Sequence, residues 1–228
     1  MYKGIIFDFN GTLFWDSEKH LEAWREFSKR LREQPFTDDE MREYMFGRTN
    51  DDIIEYLTGE KPTREMVERF AGEKEAVYRD MCRNDKENTV LAGGAVEFLD
   101  FLCEKNIPHT IATMSNGENV EFFIETFNLK KWFDVDKIVY DDGTMPGKPA
   151  PDIYLRAAKK LNLAPKDCVV IEDAVSGIES ARAAGIGKII AIASMESIDL
   201  YKNILAVSQI IKNFDEIDRN LFSDVVLK

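Results

Sequence analysis

Cysteine and histidine are scarce in this 228-residue chain, with three of the first and two of the second. Cys82, Cys103 and Cys168 lie far apart without ligand spacing. That argues against a disulfide framework or a zinc site, and for reduced thiols in a cytoplasmic protein. Positive charge is in deficit: 30 Lys and Arg face 42 Asp and Glu, a net charge of -12. A field of that sign repels polyanions and argues against nucleic-acid and anionic-membrane partners. No apolar run approaches the roughly 20 residues of a membrane span. The first residues already pattern as a strand rather than as a secretory leader. Internal repeats and low-complexity tracts are missing as well. No obvious apolar patch is visible, which points to a monomer. An acidic chain that handles an anionic ligand needs a local cationic device, such as a metal ion beside a lysine.

Hydrophobic residues still make up 44% of the chain, ample for a core. The stretch Tyr2 to Phe14 organises the rest. Ile5, Ile6 and Phe7 precede a carboxylate, Asp8, and then Asn10-Gly11, the pattern of a buried strand ending in a tight loop. A carboxylate just past a strand end sits where open α/β sheets carry their chemistry. An Asp there serves equally well as a turn residue.

From 16 to 88 the periodicity is helical throughout. Segments fall at Asp16–Arg32, with Asp16 or Ser17 as N-cap, at Asp38–Phe46, at Asn50–Leu57 and at Pro62–Arg83. After residue 88 strands and helices alternate. Strands are expected at Ile107–Thr113, Ile138–Tyr140, Cys168–Ile171, Lys188–Ala193 and Val207–Ile211. Helices are expected from Gly93-Gly94 to Glu104, at Gly117–Phe127, Pro149–Leu161 and Val175–Ala184, and after each of the last two strands. Such alternation implies a doubly wound parallel sheet. Residues 1–15 and 89–228 would form this core, with 16–88 an inserted helical cap and hinges near 14–17 and 86–91.

Three further stretches carry candidate chemistry. Thr113 ends its expected strand, and Met114, Ser115 and Asn116 lead into a helix whose first N–H groups can hold a phosphate; Thr113 or Ser115 could equally be a plain N-cap. Lys148 is held at a helix entry by the prolines of Gly147-Lys148-Pro149-Ala150-Pro151-Asp152, where an ammonium can screen a carboxylate from a phosphate or simply be solvated. Glu172 and Asp173 follow the apolar run Val169-Val170-Ile171, and two adjacent acids there suit Mg²⁺ better than they suit a turn.

Taken in order, Asp8, Thr113, Lys148 and Glu172-Asp173 resemble the motifs of the haloacid dehalogenase superfamily of phosphohydrolases, in its β-phosphoglucomutase-like and phosphoglycolate-phosphatase-like branch. The likeness covers essentially the whole chain. It is most specific in Gly147 to Tyr154 and in Glu172 to Gly185. The resemblance implies an α/β fold: a Rossmann-like doubly wound parallel sheet core with an inserted all-helical cap domain. It also implies a Mg²⁺-dependent phosphatase of a small phosphorylated metabolite, working through an aspartyl-phosphate on Asp8. Mg²⁺ would lie among Asp8, Asp173, Glu172 (directly or through water) and the backbone carbonyl of Asn10. Thr113 would bind the phosphate, and Lys148 would steady it together with Asp8.

Asn10 departs from the family pattern, which usually has a second Asp there as acid and base. An amide can do neither, so three explanations stand side by side: a slow or specialised phosphatase, a protein that binds or senses a phosphorylated ligand, and an engineered trap. A phosphomutase is the rival enzyme, and Asn10 counts against it. Dehalogenases need no Mg²⁺, so the acidic pair argues against that activity. In the cap, Arg48 is the first choice for a substrate contact. His20 lies where β-phosphoglucomutases carry a functional His, and its ordinary pKa suits a proton carrier; a surface helix histidine is the plain alternative. Trp15 is expected to pack the hinge, His109 to be structural, and Phe122, Phe123 and Phe127 to face the core.

Overall fold

The structure, a computed structural model, describes residues 1–45, 50–194 and 198–222. Ile5 to Phe7 belong to strand β1 (Gly4–Phe7), buried along its whole length. It lies inside a six-stranded sheet built among the described residues from β2 (His109–Asn116), β3 (Val139–Asp141), β4 (Cys168–Glu172), β5 (Lys188–Ile192) and β6 (Gln209–Ile211), in the order β3-β2-β1-β4-β5-β6. Every pairing is parallel. This is the Rossmann-like doubly wound arrangement that the alternation of elements predicts. The strand order reverses at the boundary between β1 and β4, where such sheets open a crevice.

Side chains alternate across a strand, so β1 serves both faces. Ile6 packs with Val170 of β4, with Ile153, Tyr154 and Ala157 of α7 (Asp152–Lys160), and with Ile178 and Ala181 of α8 (Val175–Ala183). Phe7 meets Phe98 of α5 (Ala95–Glu104) edge-on at 6.2 Å and Phe133 at 6.1 Å. Phe122 and Phe123 of α6 (Gly117–Thr126) and Phe127 are buried as expected. A strand covered by helices on both faces reads as an unbroken apolar run, which is why β1 and β4 were easy to see.

Two compact units emerge: Met1–Trp15 with Val90–Lys228, and Asp16–Thr89. The second is helical among its described residues, with α1 (Ser17–Arg32), α2 (Asp38–Tyr44), α3 (Asn50–Thr58) and α4 (Arg64–Asn84). It has its own apolar cluster, including Trp24, Phe27, Phe36, Ile54 and Phe70.

Several boundaries move from their sequence expectation. Helix α7 starts at Asp152 rather than Pro149, because the Pro151 ring disfavours the α conformation at the preceding Ala150 and Pro151 itself takes the N-cap position. Strand β2 runs on to Asn116, so Thr113 lies within the strand and not at its end. Its start shifts to His109, since Ile107 is tied by its N–H to Leu102 at the close of α5. A full α-helix follows β5, namely α9 (Ile198–Lys202), but only 3-10 turns at Phe214–Glu216 and Arg219–Leu221 follow β6 among the described residues. Asp16 occupies the N-cap position of α1 but makes no capping hydrogen bond; it accepts from the Tyr78 hydroxyl instead. Trp15 is 38% exposed rather than packed. Phe46 and Gly47 of the expected second helix and its end lie outside the described residues.

Candidate active site

Register places the acids. Phe7 pairs with Ile171, so the chain leaves β1 through Asp8 beside the point where β4 ends in Glu172. Neighbouring strands lie about 4.8 Å apart. Asp8, Glu172 and Asp173 are thereby brought to one end of the sheet and offer carboxylate oxygens within 4.8 Å of one another.

Lys148 closes this group. Its Nζ donates to Asp8 Oδ1 at 2.6 Å and to Glu172 Oε1 at 2.5 Å, with only 8% of the side chain exposed. It is not a solvated lysine. Burial pulls its pKa down, but the Asp8 and Glu172 charges outweigh that and the net shift is upward, so the ammonium persists. Glu172 is fixed on every side: Tyr154 donates its hydroxyl to Oε1 at 2.8 Å, and the Ala174 N–H donates to Oε2 at 2.9 Å. Gly177 in the first turn of α8 leaves the room this needs, since a Cβ there would fall 1.7 Å from Glu172 Oε1.

Asp173 is the outermost of the three acids. Thr12 donates to its Oδ1 at 3.0 Å. Gly11, at φ 74°, packs so close that a Cβ would lie 2.1 Å from Oδ2, which demands glycine on both counts. Burial, then the Glu172 and Asp8 charges, push the Asp173 carboxyl up to about 8. Three carboxylates around one ammonium are short of positive charge, and all are hard oxygen donors; that combination fits a divalent cation such as Mg²⁺.

Asn10 sits opposite the hydroxyls of β2. Ser115 Oγ donates to Asn10 Oδ1 at 2.6 Å and Thr113 Oγ1 donates at 3.4 Å, while the Ser115 N–H donates to Thr113 Oγ1 at 3.1 Å. Neither Thr113 nor Ser115 caps α6. Asn116 does, accepting from the Asn119 N–H. Met114 is half-buried beside the same loop, with its methyl near Gly147.

Of the cap choices, Arg48 lies outside the described residues. His20 stacks on Tyr78 at 4.0 Å, with Nε2 3.3 Å from Asp16 and Nδ1 2.9 Å from Lys74 Nζ, so it is part of a polar cluster inside its own unit rather than a lone surface histidine. His109 is half-buried between the carbonyls of Ile107 and Trp132, a structural placement. Sequence reasoning missed Thr12, Tyr154 and Tyr201, whose hydroxyls meet Asp173 or Glu172. Thr12 and Tyr154 lie inside the stretches that carry the resemblance but were given no role there, and Tyr201 had no signal at all.

The chain matches the family model of haloacid dehalogenase-like hydrolases over residues 2–185. It is 31% identical over 190 residues to a phosphorylated carbohydrates phosphatase of Thermotoga maritima, covering 82% of this chain and 83% of that one. It is 28% identical over 194 residues to a β-phosphoglucomutase of Bacillus subtilis, covering 80% of each. A solved structure from Entamoeba histolytica, a haloacid dehalogenase hydrolase of family IA, variant 3, agrees with a TM-score of 0.90 at 40% identity over 96% of both chains.

Proposed function

Since the chain belongs to the haloacid dehalogenase-like hydrolases, as a phosphoric monoester hydrolase of the β-phosphoglucomutase-like branch, we propose that it hydrolyses a small phosphorylated metabolite, a sugar phosphate or related ester, through a phosphoryl group carried on Asp8. The Thermotoga maritima relative acts on phosphorylated carbohydrates, which supports that substrate class. The observation that carries the reading is Lys148 bridging Asp8 and Glu172 with Asp173 alongside.

Asp8 Oδ attacks phosphorus; the new O–P bond forms as the ester O–P bond breaks. Phosphoryl transfer asks for alignment and charge neutralisation rather than covalent assistance. Lys148 holds Asp8 in place and faces the transferring group. Thr113, with the backbone N–H of Met114, binds the phosphoryl oxygens, and the Ser115 N–H, donating to Thr113 Oγ1, holds that hydroxyl in place. Asp8, Asp173 and the Asn10 carbonyl would hold Mg²⁺, with Glu172 beside them. When bound, that ion supplies positive charge to the phosphoryl oxygens and to Asp8. The departing alcohol takes its proton from solvent; water then attacks phosphorus, its O–P bond forming as the Asp8 Oδ–P bond breaks, so that inorganic phosphate leaves, the water's proton passes to solvent and the Asp8 carboxylate is restored. In the cap, Arg48 and His20 are the substrate contacts we assign. We assign the protein to the cytoplasm, as a monomer.

Asn10 sets the rate. A positioned acid–base group is worth a factor of about 10²–10⁴. The amide donates a hydrogen bond to the bridging oxygen but moves no proton, so turnover is slow. A weak enzyme that chiefly binds its phosphorylated ligand is the second reading, favoured by the same amide. Assaying wild type, Asn10→Asp and Asp8→Asn on an aryl phosphate with Mg²⁺, then on a panel of phosphorylated metabolites, separates the two. Slow wild-type turnover, a gain of about 10²–10⁴-fold in Asn10→Asp and silence in Asp8→Asn are expected. A silent wild type that accumulates a stable acyl-phosphate would overturn hydrolysis; activity surviving in Asp8→Asn would move the nucleophile elsewhere.

A further inference from the structure

The family match ends at residue 185, yet the acidic loop is also held from beyond that point. Tyr201, in α9, is 1% exposed and donates its hydroxyl to the backbone carbonyl of Asp173 at 2.6 Å. Resting on the reading of the acids as a divalent-cation site, we propose that Tyr201 is a positioning residue: by clamping the Asp173 backbone it presets that carboxylate for the ion.

The need for a clamp follows from where Asp173 falls. The paired register of β4 ends at Glu172, and the first α8 hydrogen bond runs from Ile178 N–H to the Ala174 carbonyl. Asp173 lies in the gap, so neither ladder sets its backbone dihedrals, and these dihedrals aim its side chain. Tyr201 supplies the missing backbone contact. From the other direction Thr12 donates to Oδ1, and the bare Cα of Gly11 leaves a slot for Oδ2. The carboxylate is thus located by its side chain from the β1 loop and by its main chain from α9. The ring of Tyr201 packs in the same apolar cluster as Ile178 and Ala191. α9 is thereby tied to the sheet, and the hydroxyl reports the position of that cluster to the acidic loop. The hydroxyl contacts Asp173 through its backbone carbonyl, so its effect runs through the ligand's geometry and not through the reacting atoms.

Outer-sphere partners that orient a ligand typically change metal affinity by roughly 10–100-fold. The test is Tyr201→Phe in the full chain, with Mn²⁺ as the probe, read by titration calorimetry and by loss of the free-ion electron paramagnetic resonance signal. The phenyl ring keeps the packing, so the metal-free variant should melt within about 5 °C of wild type. Mn²⁺ should bind roughly tenfold more weakly. The Mg²⁺ concentration for half-maximal activity should rise by the same factor, with kcat at saturating Mg²⁺ within roughly twofold of wild type, because the bound ion restores the geometry the clamp presets. Leu200→Ala, at the exposed neighbour, should leave Mn²⁺ affinity unchanged. A wild type that takes up no Mn²⁺ would overturn the metal reading and this inference with it. A wild type that binds Mn²⁺ while Tyr201→Phe binds it equally tightly would overturn this inference alone.

Discussion

Lys148 shows how one side chain can hold a charge balance. It faces Asp8 and Glu172 directly, and Asp173 lies in the same group. Lys148→Met would leave Glu172, at 0% exposure, and Asp8, at 7%, without their cation. Removing one partner of a buried ion pair costs about 3–5 kcal/mol. The metal-free variant should therefore melt well below wild type, and saturating Mg²⁺ should recover part of the loss by supplying positive charge to the same oxygens. Equal melting of the two proteins without metal would mean the carboxylates are not ionised around Lys148. Asp8, Lys148, Glu172 and Asp173 were legible in the sequence because charged residues next to apolar runs or prolines stand out. Tyr154 and Thr12 were not. A tyrosine at a helical core spacing looks like packing, and its hydroxyl's target depends on a strand more than a dozen residues away.

At the scale of the element, α2 illustrates both a legible helix and an unread device. Its helical periodicity from Asp38 was visible, but Thr37 and Glu40 form a capping box that was not: Thr37 Oγ1 accepts from the Glu40 N–H and Glu40 Oε2 accepts from the Thr37 N–H. Arg32 at the end of α1 adds an ion pair to Glu40 at 2.7 Å. The Arg32 contact, then the Thr37 backbone donor, lower the Glu40 carboxyl to about 2. A folded-state pKa below the unfolded value stabilises the protein above the unfolded pKa and is lost as pH falls through the folded one. For Glu40 that window runs from about 4.5 down to about 2. The side chain is 22% exposed, so solvent screening reduces the contribution to about 1–2 kcal/mol. Glu40→Gln keeps much of the capping geometry and removes the charge. Thermal melts from pH 6 to pH 2 should show wild type ahead at pH 6 and the gap closing towards pH 2. A gap that stays constant with pH would mean the ion pair contributes nothing. The far end of β2 was not legible for a tertiary reason: the strand is prolonged by β3, pairing Asn116 with Asp141 across an irregular register, and no local pattern encodes a neighbour.

For the molecule as a whole, the alternation of elements predicted the doubly wound sheet, while the order β3-β2-β1-β4-β5-β6 required the pairings themselves. That order makes the site, because it brings the ends of β1 and β4 side by side although 164 residues lie between Asp8 and Asp173 along the chain. The helical unit Asp16–Thr89 contributes none of Asp8, Lys148, Glu172 or Asp173. Its chain ends leave the core at neighbouring points, since the Ala92 N–H donates to the Leu13 carbonyl at 2.8 Å. A short Gly-Ser linker can therefore replace residues 16–89 without stretching the core, because closing a loop across so small a gap costs little. The core keeps its own buried clusters, and the excised unit takes its Trp24 and Phe27 cluster with it. The shortened protein should fold, bind Mn²⁺ within a few-fold of the intact chain and cleave an aryl phosphate, since the cation site and the nucleophile remain. It should lose discrimination among phosphorylated metabolites, because the residues assigned to substrate contact, Arg48 and His20, leave with the cap. Circular dichroism establishes folding, and the ratio of kcat/KM values across the metabolite panel reads selectivity. A folded core that no longer binds Mn²⁺ would show that the cap completes the cation site; unchanged selectivity would place substrate recognition in the core instead.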